Sequence, residues 1–352
     1  MICGLAVSLG SAASSASAPA PAASQAPAAP GAAAASYTIT HRYVLGGSGG
    51  WDMLTVDPKA NRLYISRANR VMVMNTLDGS IAGTIPDTQG VHGIALAAEF
   101  GKGFVSNGRA NTVTVFELGS LKTLQTIAVG AKPDAILYDP ASKHVYSFNG
   151  QSQDISVIDP STGTVAATVA AGGKPEFAVA DGAGRIYFNL EDKSELGVID
   201  SAAARRIAAW PLTHCEGPTG IALDIAHGRV FSACDNGVLV VTDAATGRHI
   251  AQVPIGKGPD GAAFDAQKGL VFSPNGADGT LTVIRQLDAD HYSVVADVPT
   301  RKSARTIALD PLTHRVYLVA AQFGLKPPPT VEEPDPRAAV LDGTFEVLVL
   351  GE

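Results

Sequence analysis

Four carboxylate residues recur along this chain at nearly regular intervals, namely Asp52, Asp134, Glu176 and Asp260. Alignment of the segments that contain them gives seven matching positions about 42 residues apart, which are Asp52, Gly93, Asp134, Glu176, Thr219, Asp260 and Arg305. Carboxylates gathered in one place repel one another and raise each other's pKa values unless cations lie between them. If the segments are copies of one structural unit, these side chains could form a polar ligand or cation site.

Three other residues of these segments add candidate chemistry. His92 stands one residue before its matching position, where it could act as a general base or a ligand. Trp51 precedes Asp52 and would either face a ligand or pack as a plug. Arg305 opposes the carboxylates in charge. The alternative for the acidic residues is structural, because each of them could accept backbone N–H groups within its own loop, as in Asx turns.

The elements that carry these residues are short β-strands. Between Lys132 and Gly172 the chain contains four strand-like runs separated by polar turns, which are DAILYD, HVYSFN, ISVID and TVAATVA. Four strands in about 42 residues are typical of one blade of a β-propeller. The first strand of each blade lies nearest the axis, so the seven matching positions would surround one mouth of the central channel.

The number of strands predicts how the ring closes. Runs such as RLYIS and HVYSFN give seven second strands, and runs such as VMVMN and ISVID give seven third strands, but only six fourth strands follow them. We expect YTITHRYVLGG at residues 37–47 to supply the missing strand, because a closed ring leaves no free sheet edge. The sequence therefore predicts an all-β, seven-bladed β-propeller of four-stranded antiparallel blades, with the N-terminal strand joining the C-terminal blade.

The repeat resembles a known family. Its PD-containing first strand with a following DP turn, its VYS-N second strand, its ISVID third strand and its TG turn are similar to the YVTN-type seven-bladed propellers, in particular the YncE-like bacterial exported proteins. The resemblance covers residues 37–352, although GWD at 50–52 and VHG at 91–93 replace the KPD of other blades. It implies a propeller fold but no particular activity, because such propellers share no single catalytic motif.

Residues 1–36 differ in composition from the rest of the chain. An apolar run that ends in an A-x-A-like site at residues 16–18 is typical of a signal-like segment, and the Ala/Pro-rich residues 19–36 are typical of a flexible spacer. We therefore expect residues 37–352 to form the propeller and the protein to be periplasmic or secreted. No other run is long and apolar enough to predict a membrane span.

The composition restricts the partners. A formal net charge of −7 argues against nucleic-acid binding, and an aromatic content of 6% argues against stacking on single strands. No coiled-coil pattern is present, so we expect a monomer. The sequence contains no nucleophile elbow, phosphate loop, HExxH or CxxC motif, and its two histidines at the predicted mouth, His92 and His214, form no metal signature. We therefore expect neither a metal nor a cofactor.

Blade seven carries an insertion at residues 322–343, between its second and third strands. Loops of this kind share a face with the loops that lead into the first strands, so we expect the insertion beside the channel mouth. Its three consecutive prolines favour an extended polyproline II conformation. The segment would be either a solvated surface loop or a lid or docking segment.

Cys215 and Cys234 are predicted to form a disulfide. Cys215 lies in the loop before blade five and Cys234 ends the second strand of that blade, so antiparallel pairing brings both to the same face. Two buried free thiols are one alternative, and a metal site with His214 is another.

The leading functional hypothesis is an exported, non-enzymatic propeller that binds an unknown small ligand or protein partner. The predicted binding residues at the channel mouth are Trp51, Asp52, His92, Asp134, Glu176, Asp260 and Arg305. The first alternative is a lactonase-like hydrolase or a lyase in which the mouth carboxylates and His92 act as acids and bases. The second alternative is an assembly scaffold that docks a partner through the insertion.

Overall fold

The computed structural model describes residues 1, 2, 4, 37–330, 334, 336 and 338–352. The chain divides into two compact units, Met1–Ala34 and Ala35–Glu352. The described part of the second unit forms seven four-stranded antiparallel sheets arranged as the blades of a ring, which confirms the predicted fold class. The signal-like segment and spacer predicted for residues 1–36 lie outside the described residues, apart from residues 1, 2 and 4. None of the helices in the described ranges is long and apolar enough to span a membrane.

Each blade consists of four strands that follow one another outward from the axis. The innermost strands are β2 (Trp51–Asp57), β6 (Val91–Ala97), β10 (Pro133–Asp139), β14 (Pro175–Ala180), β18 (Pro218–Asp224), β22 (Ala263–Asp265) and β26 (Ile307–Asp310). The second strands are β3 (Arg62–Arg67), β7 (Lys102–Asn107), β11 (His144–Asn149), β15 (Arg185–Leu190), β19 (Arg229–Cys234), β23 (Leu270–Asn275) and β27 (Arg315–Ala320). The third strands are β4 (Arg70–Asn75), β8 (Thr112–Glu117), β12 (Asp154–Asp159), β16 (Glu195–Asp200), β20 (Val238–Asp243), β24 (Thr280–Gln286) and β28 (Glu346–Gly351). The outermost strands are β5 (Ile81–Ile85), β9 (Thr123–Ala128), β13 (Thr164–Ala170), β17 (Arg205–Pro211), β21 (His249–Pro254), β25 (Tyr292–Pro299) and β1 (Thr38–Val44). Short 3₁₀ helices, Ala98–Phe100 and Glu191–Lys193, follow β6 and β15.

The hydrophobic core lies between neighbouring blades. The consecutive residues Leu63, Tyr64 and Ile65 of β3 are fully buried, because other blades cover both faces of the sheet at its second and third strands. This burial explains why the second strands are nearly continuous apolar runs in the sequence. Each large apolar side chain buried in this way contributes roughly 1.5–3 kcal/mol. In the outermost strands Ile81 and Leu124 are about half exposed, so the core ends there.

Strand β1 closes the ring by pairing antiparallel with β28 from Thr38 to Val44. Just before this strand, Tyr37 is buried and packs edge-on against Phe272 of blade six. Its hydroxyl donates a hydrogen bond to the carbonyl of His314 at 3.0 Å. The start of the closing strand is therefore fastened to both blade six and blade seven.

A buried arginine fastens the other end of the closing strand. The guanidinium of Arg67 donates hydrogen bonds to the carbonyls of residues 46–49, which lead from β1 into blade one. The guanidinium also lies 3.7 Å from the ring centroid of Phe345, next to β28. Burial and the charge of Arg70 lower the pKa of Arg67 to about 10. The carbonyl oxygens and the aromatic face provide the negative potential that a buried cation requires.

The predicted disulfide between Cys215 and Cys234 is confirmed, and the two Cα atoms are 5.5 Å apart. It joins the loop before β18 to the end of β19, where Pro218 pairs with Cys234. The disulfide therefore fixes the loop that leads into the channel mouth in blade five.

Removal of residues 2–47 should destabilise the whole propeller, because it exposes the edge of β28 and the buried side chains of Leu348 and Leu350. We expect the free energy of unfolding, measured by urea denaturation, to fall by more than about 3 kcal/mol. Removal of residues 2–35 keeps Tyr37 and β1 and should leave the stability unchanged. Equal stability of the two truncated proteins would contradict a closing role for β1.

Replacement of both Cys215 and Cys234 by Ala should lower the free energy of unfolding by about 3 kcal/mol, because the disulfide closes a loop with a sequence separation of 19. Dithiothreitol should lower the urea midpoint of the wild type towards that of the double variant, and it should leave the double variant unchanged. A reductant effect of equal size on both proteins would show that the disulfide does not supply this stability.

Candidate functional site

Strand pairing shows which residues are equivalent at the channel mouth. The residue before Asp52 and the residue before His92 both pair with the last residue of the second strand in their blade. His92 is therefore the equivalent of Asp52, and the sequence alignment of Gly93 with Asp52 is wrong by one residue. Gly93 instead allows blade three to approach, since a Cβ atom on Gly93 would lie 2.9 Å from the side chain of Ile136.

We call the equivalent residues the axial ring: Asp52, His92, Asp134, Glu176, Thr219, Asp260 and Arg305. In blades one to five the ring residue lies within a β-bulge, where the pairing of the first and second strands shifts register. A bulge of this kind re-aims a side chain. In blades six and seven the innermost strand starts later, and the ring residue lies in the segment that precedes it.

Hydrogen bonds between neighbouring blades fix the backbone of the axial ring. The hydroxyl of Thr306 in blade seven donates to the carbonyl of Asp52 in blade one at 2.8 Å. The hydroxyl of Ser106 in blade two donates to the carbonyl of Asp134 in blade three at 2.5 Å. Asp52 and Asp134 therefore project from backbone that a neighbouring blade holds in place.

Five ring side chains form a continuous chain of charge pairs. The Nδ1 atom of His92 lies 2.5 Å from Oδ2 of Asp52 and 3.5 Å from Oδ1 of Asp134. The Nε atom of Arg305 lies 2.5 Å from Oδ2 of Asp260, and its Nη2 atom lies 3.8 Å from Oδ1 of Asp52. The predicted convergence of these residues on one mouth is thus present in the structure, whereas their role in binding stays a prediction.

The two remaining ring positions differ in chemistry. The side chain of Glu176 is 9% exposed, and its Oε1 atom lies 2.9 Å from Nζ of Lys174. Lys174 also contacts Glu191, which lies in the 3₁₀ helix after β15. Thr219 is neutral, and its hydroxyl donates to the carbonyl of Pro259 at 3.2 Å.

The ring carboxylates do not act as caps for their own loops. Within the described residues, none of them accepts a hydrogen bond from a backbone N–H, and their partners are His92, Arg305 and Lys174. On the opposite face, Asp57 accepts hydrogen bonds from the backbone of Lys59 and Ala60 at 3.1 Å. Asx-type anchoring is therefore found at the Asp-Pro turns and not at the axial ring.

Burial and mutual repulsion raise the pKa values of three ring carboxyl groups. Burial and the charge of Asp52 raise the pKa of Asp134 to about 6 and that of Asp260 to about 7. Burial and the charge of Asp134 raise the pKa of Glu176 to about 8. The nearby cations oppose these shifts but do not cancel them, so the ring lacks enough positive charge to ionise its acids fully near neutral pH.

The ring cations show the complementary effect. Burial disfavours the charged forms of His92 and Arg305, but the adjacent carboxylates outweigh burial and raise the pKa of both side chains. The ring therefore stabilises positive charge placed among its carboxylates.

Trp51 does not extend into the open mouth. Its side chain packs 5.4 Å from Phe345 and 5.7 Å from Phe323, measured between ring centroids, and Trp51 is only 7% exposed. This position matches the packed alternative for Trp51. Phe323 belongs to the 322–343 insertion, which therefore contacts the residue next to Asp52 in the chain.

The opposite mouth has a different lining. A cavity of about 590 Å³ opens there beside the Asp-Pro turns, and its walls include Leu137, Val179, Leu223 and Phe264. Among the described residues that line it, Asp181 is the sole charged one. The two ends of the channel therefore suit different ligands, since charged side chains meet at the axial ring and not in this cavity, as far as the described residues show.

Comparison with solved structures supports the architecture. A chain of the mitotic checkpoint complex superimposes with a TM-score of 0.72 and 14% identity, covering 91% of this chain and 97% of that chain. The WD40 repeats of RRP9 give a TM-score of 0.72 and 11% identity, covering 91% and 98%. Hydrazine synthase of Kuenenia stuttgartiensis superimposes with a TM-score of 0.67 and 16% identity, covering 77% of this chain and 92% of that chain. No family model and no curated protein matches the sequence. At such low identities the similarity concerns the fold alone: the chain is a seven-bladed β-propeller.

Proposed function

We propose that this propeller is a non-enzymatic binding protein that holds a small organic cation, carrying an ammonium or guanidinium group, at the axial ring. The observation that carries the proposal is the convergence of four carboxylates whose charge the neighbouring side chains compensate only in part. A cationic ligand would supply the missing positive charge and allow the acids to ionise. Binding sites favour such concave clusters of convergent polar groups.

The cavity at the opposite mouth is a weaker candidate for the same function. Its volume is ample for a small molecule, but its lining offers few polar groups that could orient one. The axial ring offers several charged groups on a rigid backbone, and these favour one ligand charge over the other. We therefore assign binding to the ring.

We also propose that the protein is exported, as in the YncE-like group that its repeat resembles. The Cys215–Cys234 disulfide supports this location, because disulfides persist in oxidising compartments. The signal-like composition of residues 1–36 agrees with it.

A second candidate function is catalysis of a hydrolytic or lyase reaction at the same mouth. The contact of His92 with Asp52 favours it, since the carboxylate could orient the imidazole as a base. A carboxyl group with a pKa of about 8, as in Glu176, could serve as the acid. Turnover of a ligand bound at the ring would support this function over simple binding.

The raised pKa of Glu176 predicts a pH-dependent stability. The unfolded chain releases this proton near the ordinary pKa of 4.5, whereas the native state holds it until about pH 8. The native state then binds more protons than the unfolded state, so this group makes the free energy of unfolding fall as the pH rises from 5 to 8. In Glu176→Gln the contribution is absent, and urea denaturation should show a weaker pH dependence. The exposed Glu216→Gln variant is the matched control and should retain the dependence of the wild type.

Calorimetric titration in the presence of EDTA tests the proposed function with agmatine and putrescine as cationic probes and adipate as an anionic control. We expect the wild type to bind the cations and not adipate. The combined variant Asp134→Asn, Glu176→Gln and Asp260→Asn keeps the side-chain volumes but removes three charges. It should bind at least tenfold more weakly, which is about 1.4 kcal/mol, with an unchanged circular dichroism spectrum. Absence of cation binding to the wild type, or equal affinity of the variant, would refute the proposal.

A further inference from the structure

We infer that Asp52, His92 and Asp134 form a site for a divalent first-row transition-metal ion on one side of the axial ring. One ligand atom from each residue lies within 4.8 Å of the other two. The sequence pattern alone predicts no metal, because the three residues are about 40 positions apart and show no metal-binding spacing. The ring brings them together from three consecutive blades.

The distances between the ligand atoms fit an ion after small rotations of the side chains. Zinc-to-nitrogen and zinc-to-oxygen bonds are about 2.0–2.2 Å long, so neighbouring ligand atoms lie roughly 3–3.6 Å apart around the ion. The Nδ1 atom of His92 is 3.5 Å from Asp134 Oδ1 and 2.5 Å from Asp52 Oδ2. Opening the shorter distance by about 1 Å would admit an ion among the three atoms.

A neighbouring charge orients Asp52, and a glycine makes room for His92. The Nη2 atom of Arg305 lies 3.8 Å from Oδ1 of Asp52, while Oδ2 of Asp52 faces His92. Gly108 leaves room for the imidazole, since a Cβ atom there would lie 2.7 Å from Nε2 of His92. A charged neighbour that orients a ligating carboxylate, as Arg305 orients Asp52, is a regular part of metal sites.

Asp134 provides an independent indication of a missing partner. Its side chain is 14% exposed, and within the described residues its closest cationic atom is Nδ1 of His92 at 3.5 Å. None of the hydrogen bonds among those residues is donated to its side chain, although a largely buried carboxylate ordinarily accepts such bonds. Its oxygens are therefore available to a ligand.

The charge of the ring suits a divalent ion. With the four ring carboxylates and Glu191 ionised and His92 neutral, as a metal ligand must be, Arg305 and Lys174 leave three negative charges uncompensated, and a divalent ion would neutralise two of them. The mixture of imidazole and carboxylate ligands favours ions such as Zn²⁺ or Mn²⁺. Three protein ligands leave coordination positions open toward the mouth, as in sites that bind a further molecule. The inference rests on the proposed function only in that both place the binding face at the axial ring.

Titration of chelator-treated protein with MnCl₂ tests the site. We expect binding of Mn²⁺ and, in pulsed electron paramagnetic resonance, a ¹⁴N coupling from the coordinated imidazole. His92→Gln should remove the coupling and weaken Mn²⁺ binding at least tenfold. Asp134→Asn, which preserves the shape of the side chain, should weaken binding to a similar extent. His214→Gln is the matched control, because His214 lies in a loop on the same face but outside the ring, and it should retain both the coupling and the affinity.

The outcomes separate this inference from the proposed function. Binding of agmatine in EDTA without Mn²⁺ binding would overturn the metal site and leave the organic-cation site intact. Mn²⁺ binding with a ¹⁴N coupling that depends on His92, without agmatine binding, would support the metal site and overturn the organic-cation site. Mn²⁺ binding that survives in both His92→Gln and Asp134→Asn would overturn the metal site as well.

Discussion

The pairing of β1 with β28 is the constraint on which the rest of this structure depends. Strand β1, at the start of the propeller, becomes the fourth strand of blade seven, which the end of the chain forms. The chain then continues from β1 into blade one, so blades one and seven are connected. The ring-wide contacts then follow, including the hydrogen bond from Thr306 to Asp52 across the closure. Arg305 and Asp52, which face each other at the mouth, also belong to the two blades that this closure joins. The part of the axial ring in which Arg305 faces Asp52 therefore spans the closure.

The repeat uses aspartate in two physically distinct ways. At the Asp-Pro turns, Asp57 accepts backbone N–H groups of its own turn, so it stabilises local structure. At the mouth, bulges direct Asp52 and Asp134 toward the axis, where their partners come from other blades. The local sequence cannot distinguish an aspartate that stabilises its own turn from one that faces the axis, because each is an acidic residue beside a turn. The difference comes from long-range pairing.

Much of the fold could be predicted from the sequence, since the 42-residue period and the absent seventh outer strand are properties of the chain alone. The Cys215–Cys234 disulfide also followed from strand order. The equivalence of His92 with Asp52 could not be predicted from the sequence. Blade two lacks a Pro-Asp pair, and the spacing of residues alone cannot locate a bulge. The packing of Trp51 against the insertion was equally hidden, since it depends on tertiary contact.

The ionised carboxylates of the axial ring destabilise the folded state, which indicates that they are present for a function. Thr219 occupies the same position in blade five with a neutral side chain whose hydroxyl bonds the next blade. The architecture therefore does not require a charge at this position. Carboxyl groups at equivalent positions nevertheless have pKa values raised to about 6 for Asp134 and about 8 for Glu176, which means that their ionisation opposes folding. Groups that weaken the native state without a structural need are typical of functional sites. The missing positive charge is what a ligand would bring.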